Sequence, residues 1–541
     1  MYTSNREMNC IALHGTHPPL GRRRPPCAFA FRYLAITLAF LLTSPPSPAA
    51  SRILKPGERT GIAEDFVLSG DDVLEINGTA EKPCRIDGNS NVFKTSGKWT
   101  GRIKITHCEI RGFGSATKPV FDITAAGEGD KVVIENCDFH ACGAIHIANT
   151  EKSATVFRNN LIRDTAMVPV TNLPDQSAPI FRASGDSPAR KLFQGNRVGK
   201  SIVVFERARN WLVGGDSDAD SNVITGLRGS LSLHNCADTT ARGNYIHTEI
   251  PSFRWSQVHT IAVQAPCPNL VIEHNIIRHG QWVVRGLTGE FRYNLVLDTD
   301  GHNFIIGPRD CQMHHNIFAR YCTIDPNLNA TIGVIYKSDN IQIYNNTFDA
   351  GGKDLERPWH VPAIEVGGEA FLHSLRNNAF YNHPTRFGAG TAIIRPGFGE
   401  KKTSPGPERL GYADYNLFFN PDAAEKQNYA LSVRGKTERQ DAGFAKHDAG
   451  GEKNAQVEPK FKGPIPKKFP FGDDDIRAGK VKVSQILAHY RDAYSPAEAS
   501  PLQGAGDPAD GTGSFIGAVG AGKAPPNDFF GKFGTKETLT K

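Results

Sequence analysis

A short phrase of apolar and polar residues recurs along this chain of 541 residues. It reads apolar, any, apolar, any, any, Asn, any, apolar, and it is clear around 157–162, 272–277 and 343–348. Alternation of this kind predicts short β-strands with one buried face. The asparagines that share the same position in the phrase, the slot, are Asn160, Asn244, Asn275, Asn294, Asn316, Asn346 and Asn378, with Asn416 closing the series and weaker copies at Asn196 and Asn222.

The spacing of the slot separates a coil of strands from a helical repeat. It varies from 19 residues, between Asn275 and Asn294, to 38 residues, between Asn378 and Asn416. A stacked coil of short strands tolerates such variation because insertions enter the turns. The sequence therefore predicts an all-β solenoid in which the slot asparagines form a hydrogen-bonded ladder, about 4.8 Å apart from coil to coil.

Cysteine takes the slot in the first coils. Cys84, Cys108 and Cys137 fit the same frame as the later asparagines. Stacking would bring these three side chains into a column, and neighbouring coils lie within the Cα separation that a disulfide requires. We predict the cysteine column, and the sequence leaves open whether two of its members are bonded.

The flanking segments have a different composition. Residues 1–50 combine an arginine cluster at 22–24, an apolar run at 33–42 and the small residues 48–50, which is typical of a signal peptide; an uncleaved anchor is the alternative. Residues 51–420 carry the coils, and 421–541 form a loop-rich extension with one short helix at 484–494 that we expect to pack back on the solenoid. We expect a secreted protein, periplasmic or extracellular.

Charge and hydropathy exclude two classes of partner. The formal charge is +6, of which the first 50 residues contribute +4, so the remaining chain is close to neutral. A near-neutral chain gives no argument for nucleic-acid binding. No second long apolar run follows the leader, so we expect no membrane association after its removal, and we expect a monomer.

Three pieces of the sequence carry a family resemblance. They are the phrase at 345–348, the Gly-Gly turn at 214–215 that leads into Val223-Ile224, and the closing run of small residues at 500–508. Through them the chain resembles the right-handed parallel β-helix repeat proteins, a superfamily that includes pectate lyase-like and other polysaccharide lyase-like enzymes. The resemblance covers about residues 60–520 and implies a right-handed parallel β-helix of about 12 coils. It also implies a secreted carbohydrate-active protein, although these phrases specify coil geometry rather than chemistry.

The register of the strands suggests which residues form the catalytic site. Counting from the slot asparagines aligns an outward column in the middle coils, which contains Arg285 and Lys337 two coils apart, about 10 Å, with Gly307 between them. A polysaccharide lyase must neutralise a uronate carboxylate, remove the C5 proton and protonate the leaving oxygen. Arg285 is suited to the first role, Lys337 to the second and His302 to the third. We therefore predict a lyase acting on an acidic, uronate-containing polysaccharide.

Further residues are candidates for the same groove. The predicted substrate-binding residues are His234, Gln264, Trp255, Trp359, Glu365 and Arg376. The carboxylates Asp298, Asp300 and Glu290 could bind calcium, the one cofactor that the sequence leaves open, or could act as a hydrolase pair. Two alternatives therefore remain: a non-catalytic polysaccharide-binding or cell-surface structural β-helix, and a glycoside hydrolase on the same fold.

Overall fold

The structure is a computed structural model that describes residues 51–520 with gaps. The residues outside the description are 1–50, 164–178, 228, 250–258, 265, 281–283, 286–288, 300–303, 307–308, 322–331, 335–338, 352–362, 367–369, 383–393, 397–409, 420, 422–430, 434–435, 439–452 and 521–541. The chain divides into a unit at Met1–Pro48 and a unit at Ala49–Lys541, and the description concerns the second. At some strand positions it covers the backbone only.

The first sheet contains one strand from each of 14 coils in the described part of the chain. Its strands, in spatial order, are β1 (Ser51–Leu54), β4 (Val73–Asn77), β7 (Arg102–Thr106), β10 (Glu128–Glu135), β13 (Lys152–Arg158), β16 (Lys191–Gln194), β19 (Trp211–Gly214), β22 (Thr240–Arg242), β25 (Val271–Glu273), β28 (Gly289–Arg292), β31 (Arg309–His314), β34 (Asp339–Tyr344), β37 (Leu372–Arg376) and β40 (Leu410–Asp414). Each pairs in parallel with the strand one coil away, as between β25 and β28.

The second sheet repeats this arrangement with the strand that follows in each coil. Its strands are β2 (Arg59–Gly61), β5 (Cys84–Asp87), β8 (Cys108–Arg111), β11 (Asp138–His140), β14 (Leu161–Arg163), β17 (Arg197–Gly199), β20 (Val223–Gly226), β23 (Tyr245–Thr248), β26 (Ile276–Arg278), β29 (Leu295–Leu297), β32 (Ile317–Ala319), β35 (Thr347–Asp349), β38 (Ala379–Tyr381) and β41 (Leu417–Phe419).

The third face consists of two sheets, which we treat together as the third sheet. The first part contains β3 (Phe66–Ser69), β6 (Phe93–Ser96), β9 (Phe121–Ala125), β12 (Ile145–Asn149), β15 (Pro179–Gly185), β18 (Ile202–Ala208), β21 (Gly229–His234) and β24 (His259–Gln264). The second contains β27 (Val284–Arg285), β30 (Phe304–Ile306), β33 (Ile332–Val334), β36 (Ile364–Val366), β39 (Ile394–Pro396), β42 (Leu431–Val433) and the antiparallel β43 (Lys436–Glu438).

This architecture confirms the right-handed parallel β-helix. The described residues form 14 coils where the sequence predicted about 12. The first coil, β1 to β3, carries neither Asn nor Cys in the slot, so the phrase could not reveal it. Strands β42 and β43 lie in a segment that the sequence predicted to be loop.

The core is a set of apolar columns inside the solenoid. The rings of Phe318, Phe348, Phe380 and Phe418 stack in successive coils with centroids 4.8, 4.9 and 5.0 Å apart and planes within 7° of parallel. Because one coil cannot cover its own inward residues, each ring is buried by the coils above and below it. Stacking at this distance gives every inward side chain a matched neighbour and no access to water.

The ladder is present and longer than the sequence phrase indicated. Asn294 is typical: its Oδ1 accepts hydrogen bonds from the backbone N and the Nδ2 of Asn275 (both 3.0 Å), and its Nδ2 donates to Ile272 O (2.8 Å) and to Asn316 Oδ1 (3.1 Å). The same bonding runs from Asn160 to Asn416 and continues to Asn454 (2.7 Å to its Oδ1), which lies beyond the last phrase. The buried amides are therefore satisfied along the whole column.

In most coils the residue before the slot takes a left-handed backbone conformation. Its φ is 48° at His107, 54° at Asn159 and 55° at Tyr293, and glycine occupies the position at 195 and 243. Asn and Gly adopt this region most readily, which explains why they often precede the slot residue.

The predicted cysteine column is present at the start of the solenoid. Cys84 pairs with Cys108 across β5 and β8, and the register of β8 with β11 places Cys137 at the same level. The cysteines within the described ranges are free buried thiols, so the disulfide that the sequence left open is not formed there. Cys137 is the first member joined to the ladder, because its backbone N donates to Asn160 Oδ1 (3.0 Å).

The extension packs on the outer face of the second sheet. It contains α1 (Asp473–Arg477), α2 (Val483–Ala493), where the sequence predicted a helix at 484–494, and a 3-10 turn at Pro508–Asp510. The side chains that it buries against the solenoid are Ile476, Val483, Ile486, Leu487, Tyr490, Tyr494, Ala518 and Val519, and the solenoid surface beneath them is formed by Val223, Tyr245, Ile276, Leu295, Leu297, Ile317 and Ala319. This apolar surface would otherwise face water.

Candidate functional site

A row of polar side chains follows the outer face of the third sheet. We call it the polar line; its members are Lys94, Asp122, His146, Arg182, Glu206, His234 and Gln264. They face outward because the residues on either side of them along each strand, such as Ile145 and Ile147 beside His146, are buried.

The polar line consists of two columns joined by an ion pair. Lys94, Asp122, His146 and Arg182 occupy one register position on consecutive strands. Glu206, His234 and Gln264 occupy a position two residues further along the next strands. Arg182 and Glu206 connect the columns, with 3.7 Å between Nη1 and Oε2. The line crosses seven coils, on the order of 29 Å, which is long enough for several sugar units.

His146 occupies the centre of the first column. Its ring is half-buried between Asp122 on one neighbouring strand and Arg182 on the other. Burial and the charge of Arg182 lower the pKa of His146, and Asp122 opposes them only in part. The imidazole is therefore neutral at neutral pH and can accept a proton.

The structure supports one part of the predicted column and corrects the other. His234 and Gln264 are level with each other, as the sequence alignment required. The predicted alignment of Arg285 with Gly307 and Lys337 is wrong, because Arg285 pairs with Ile305, and Ile305 pairs with Gly333.

The error is two residues at the next strand, where Ile305 rather than Gly307 is level with Arg285, and four at the one after, where Gly333 takes the place of Lys337. It has a simple cause. The strands were aligned by counting from the slot, but the connection from the third sheet to the next first-sheet strand varies in length. It is two residues longer after β33 than after β30, since Phe304 pairs with Ile332 while Arg309 pairs with Asp339. A shift of two preserves the face of the sheet, so Arg285 remains in an outward column, together with Gly333, Glu365 and Arg395.

Several predicted site residues lie outside the described residues. They are Lys337, His302, Trp255, Trp359 and Asp300. Of Arg285 and Glu365 only the backbone is described, in β27 and β36. Their roles in catalysis and binding stay predictions.

Arg376 is engaged with the extension rather than with the polar line. It lies on the first sheet, where Nε and Nη2 donate to the two oxygens of Asp510 (2.8 and 2.9 Å) and the guanidinium stacks 4.5 Å from the ring centroid of Tyr344. A bidentate pair of this kind fixes both side chains. Within the description, Arg376 therefore ties the 3-10 turn to the solenoid.

The predicted carboxylate ligands are also held by arginines. Asp298 accepts from Arg320 Nε (2.7 Å) and lies 3.6 Å from Arg278 Nε, whereas Glu290 lies 2.7 Å from Arg292 Nη1. Glu290 belongs to the first sheet and Asp298 follows a strand of the second, so the two are on different faces. Within the described ranges no group of three or more His, Cys, Asp or Glu side chains is placed to hold a metal ion. Calcium binding stays a prediction.

Sequence reasoning missed the first column of the polar line. The alignment that located His234 was applied only to the middle coils. Counted back from the slot, His146 and Arg182 stand at the same distance, 14 residues before Asn160 and Asn196, whereas His234 stands 10 residues before Asn244. The signal was therefore present in the sequence.

Comparisons with known proteins show a similarity in fold to solved structures. No protein family matches the chain by sequence, and no curated protein matches it. Among solved structures, a point mutant of a PL6-family alginate lyase is 14% identical, with a TM-score of 0.29, over 76% of this chain and 60% of that one. A PL6 alginate lyase in complex with a trisaccharide is 12% identical, with a TM-score of 0.30, over 74% and 90%. A PL6-family polysaccharide lyase from Pseudopedobacter saltans is 11% identical, with a TM-score of 0.21, over 71% and 85%. The chain thus spans about 60% of the length of the first of these proteins.

The helices of the described part are too short and polar to span a bilayer.

Proposed function

We propose that the chain is a secreted polysaccharide lyase that acts on an acidic, uronate-containing polysaccharide along its third sheet. The observation that carries the proposal is the polar line, in which cationic, anionic and imidazole groups follow one another at the spacing of the coils. An extended polymer can lie along such a line and meet a polar side chain at each coil.

The groups of the polar line suit β-elimination. Arg182 is permanently charged and can neutralise a uronate carboxylate, which makes the adjacent C5 proton more acidic. His146 is a neutral imidazole one strand away and can accept that proton. The electron pair then forms the C4–C5 double bond and expels the glycosidic oxygen, which an acid must protonate. The roles predicted from the sequence, Arg285 in neutralisation, Lys337 as base and His302 as proton donor, remain part of the proposal as a second set of catalytic residues.

The experiment is a substrate screen followed by single substitutions. The protein without residues 1–50 is incubated with alginate, pectate and glycosaminoglycans, and the ultraviolet absorbance of unsaturated products is recorded. We expect turnover of one of them and a fall in kcat of about 100-fold or more in Arg182→Ala or His146→Gln. Arg102→Ala, an exposed arginine on the first sheet, is the matched control and should retain activity. The activities of Arg285→Ala and Lys337→Ala test the catalytic roles that the sequence predicts for these two residues.

Three outcomes separate the alternatives. New reducing ends without ultraviolet absorbance would indicate a hydrolase. Retardation on polysaccharide gels without either product would indicate a binding protein. No turnover of any acidic polymer would refute the lyase.

A further inference from the structure

A cavity of about 300 Å³ lies between the second sheet and the extension, away from the polar line. Its solenoid wall is formed where three consecutive second-sheet strands end, and its other wall is the loop that precedes α1. The lining residues on the solenoid are Arg320, Asp349, Gly351, Tyr381 and Asn382; those on the extension are Glu458, Pro459, Lys460, Phe461, Gly463, Ile465, Pro466 and Lys467.

Asp349 is an unusual residue for this wall. It lies in an outward column of the second sheet, where it pairs with Ala319 and Tyr381, and the residue is only 2% exposed. One carboxylate oxygen accepts from the backbone N of Gly351 (2.8 Å) and from Asn382 Nδ2 (3.3 Å), and the other accepts from the Tyr494 hydroxyl (2.5 Å). Burying a carboxylate is costly unless it is bonded in this way, so the polar wall is held in a fixed geometry.

Arg320 fixes a second polar corner. It is 4% exposed, and besides its bond to Asp298 it donates through Nη1 to Pro466 O (2.6 Å) and through Nη2 to the Tyr490 hydroxyl (3.2 Å). Its bond to Pro466 joins the two walls directly. The cavity therefore forms only when the extension is docked.

The charge of the lining favours an anion. Arg320 is already paired with Asp298, and Asp349 already accepts three hydrogen bonds. The exposed charges that remain in the lining are Lys460 and Lys467 against the single carboxylate of Glu458. Lys460 and Lys467 are exposed residues of the extension wall. Their ammonium groups can therefore reach an acidic ligand without a large desolvation cost.

An aromatic pair completes the lining. The rings of Tyr381 and Phe461 meet edge to face, with centroids 5.5 Å apart and an interplanar angle of 88°. Aromatic surface beside a few fixed polar groups is typical of small-molecule sites, and the volume is at the lower end of their range of about 300–1,000 Å³.

We propose that this cavity binds a small carboxylated sugar of one or two rings. The carboxylate lies between Lys460 and Lys467, the ring lies against the Tyr381–Phe461 pair, and the hydroxyls meet Asn382 and Asp349. The anionic and aromatic character follows from the lining, and the identification as a sugar acid rests on the proposed function. Such a ligand resembles a product of polymer cleavage, and it would strengthen the docking of the extension because it contacts both walls.

Titration calorimetry on the whole protein without residues 1–50 tests the proposal. The probes are glucuronate and galacturonate, with glucose as the neutral match and inorganic phosphate as a simple anion. We expect saturable binding of a uronate, no binding of glucose, and affinity weakened about tenfold or more in Lys460→Gln or Lys467→Gln. Lys468→Gln removes the neighbouring exposed lysine, which does not line the cavity, and should leave the affinity unchanged.

Two results would overturn the site: no uronate binding, or binding that neither lysine substitution weakens. Phosphate binding as tight as uronate binding would reduce it to a general anion site and would also refute the proposal. The same titration is repeated with Arg182→Ala to separate the two proposals. Because a monosaccharide has no glycosidic bond to cleave, its binding in the cavity reports on the cavity site alone and not on the lyase reaction. Lysine-dependent uronate binding without any polymer turnover would refute the lyase alone, and turnover without uronate binding would refute this cavity site alone.

Discussion

At the scale of single residues, the ladder asparagines carry an unusually complete set of hydrogen bonds. From Asn196 to Asn416, each amide oxygen accepts two bonds and each amide nitrogen donates to a carbonyl and to the next rung, as at Asn294. The three cysteines at the start of the column make no such chain with each other; their sulfurs donate to backbone carbonyls, as Cys137 does to Glu135 O (3.2 Å). The slot therefore needs a small buried side chain in the first coils and a four-bonded amide in the later ones.

Replacing one rung tests this difference. Asn294→Ala removes four buried hydrogen bonds to groups of the two neighbouring coils. We expect a loss of about 3 kcal/mol in the free energy of unfolding, because each orphaned buried group costs on the order of 1–3 kcal/mol. Denaturant unfolding measures it. Thr124→Ala, an exposed residue of the third sheet, should stay within about 0.5 kcal/mol. An equally small change for Asn294→Ala would show that the ladder contributes little.

At the scale of elements, arginines of the second sheet join the extension to the solenoid. Arg278 donates to the Tyr245 hydroxyl (2.8 Å) and to Asp473 of α1 (2.7 Å) and stacks over Phe469, 3.7 Å from the ring centroid. Asp298 faces both this arginine and Arg320. Asp298, a residue of the solenoid, thus neutralises the two arginines that bind the extension.

Calcium removal and Asp298→Asn together test the role of this carboxylate. If Asp298 neutralises the two arginines, the substitution leaves the buried Arg320 without its carboxylate, while Arg278 keeps Asp473, and it lowers stability by about 3 kcal/mol. We expect the same loss in excess calcium and in EDTA, measured by thermal unfolding. Asp310→Asn, at an exposed position of the first sheet, is the control. Calcium-dependent stability that disappears in Asp298→Asn would instead support the predicted metal site.

At the scale of the whole molecule, the buried His247 and the half-buried His315 lie where the solenoid meets the extension. Burial lowers the pKa of His247 and of His315 to about 3, helped by Arg278 beside the first and Arg491 beside the second. The neighbours whose charges act on these two rings include Arg278, His279, Asp473 and Arg477 for His247, and Arg292, Arg491 and Asp510 for His315. Asp473, at 3.7 Å from His247, favours the charged form but is outweighed.

These shifts predict loss of stability in mild acid. Both imidazoles are neutral in folded and unfolded chains above about pH 6.5, so they contribute no pH dependence there. As the pH falls from about 6.5 towards 3, the unfolded chain binds protons that the folded chain does not, and the free energy of unfolding decreases. Denaturant midpoints across this range should fall, and the slope should be smaller in His315→Asn. His373→Gln, an exposed histidine of the first sheet, should leave the slope as it is. An unchanged slope in His315→Asn would contradict the assignment.

The sequence could predict those features of the site that follow from the alternation within a strand, and not those that depend on the lengths of the turns. The face of Arg285 could be predicted, because alternation has a period of two and survives a shift of two residues. The residues that pair with Arg285 on the neighbouring strands could not be predicted, because the length of each turn is set by tertiary packing rather than by the repeat. Arg376 illustrates the other limit: its Asp510 partner is 134 residues away in the sequence and no local pattern connects them.

The sequence by itself determined the coil, the ladder and the cysteine column, because all three repeat the same local geometry in every turn. It also located His234 and Gln264 side by side, since the alternating runs Leu231-Ser-Leu and Ile261-Ala-Val that precede them share one frame. Only the tertiary structure decided which strand residues stand level beyond β24, which charges the extension neutralises, and where a cavity forms beneath it. Those depend on contacts between segments far apart in the chain, which a repeat with a period of one coil does not encode.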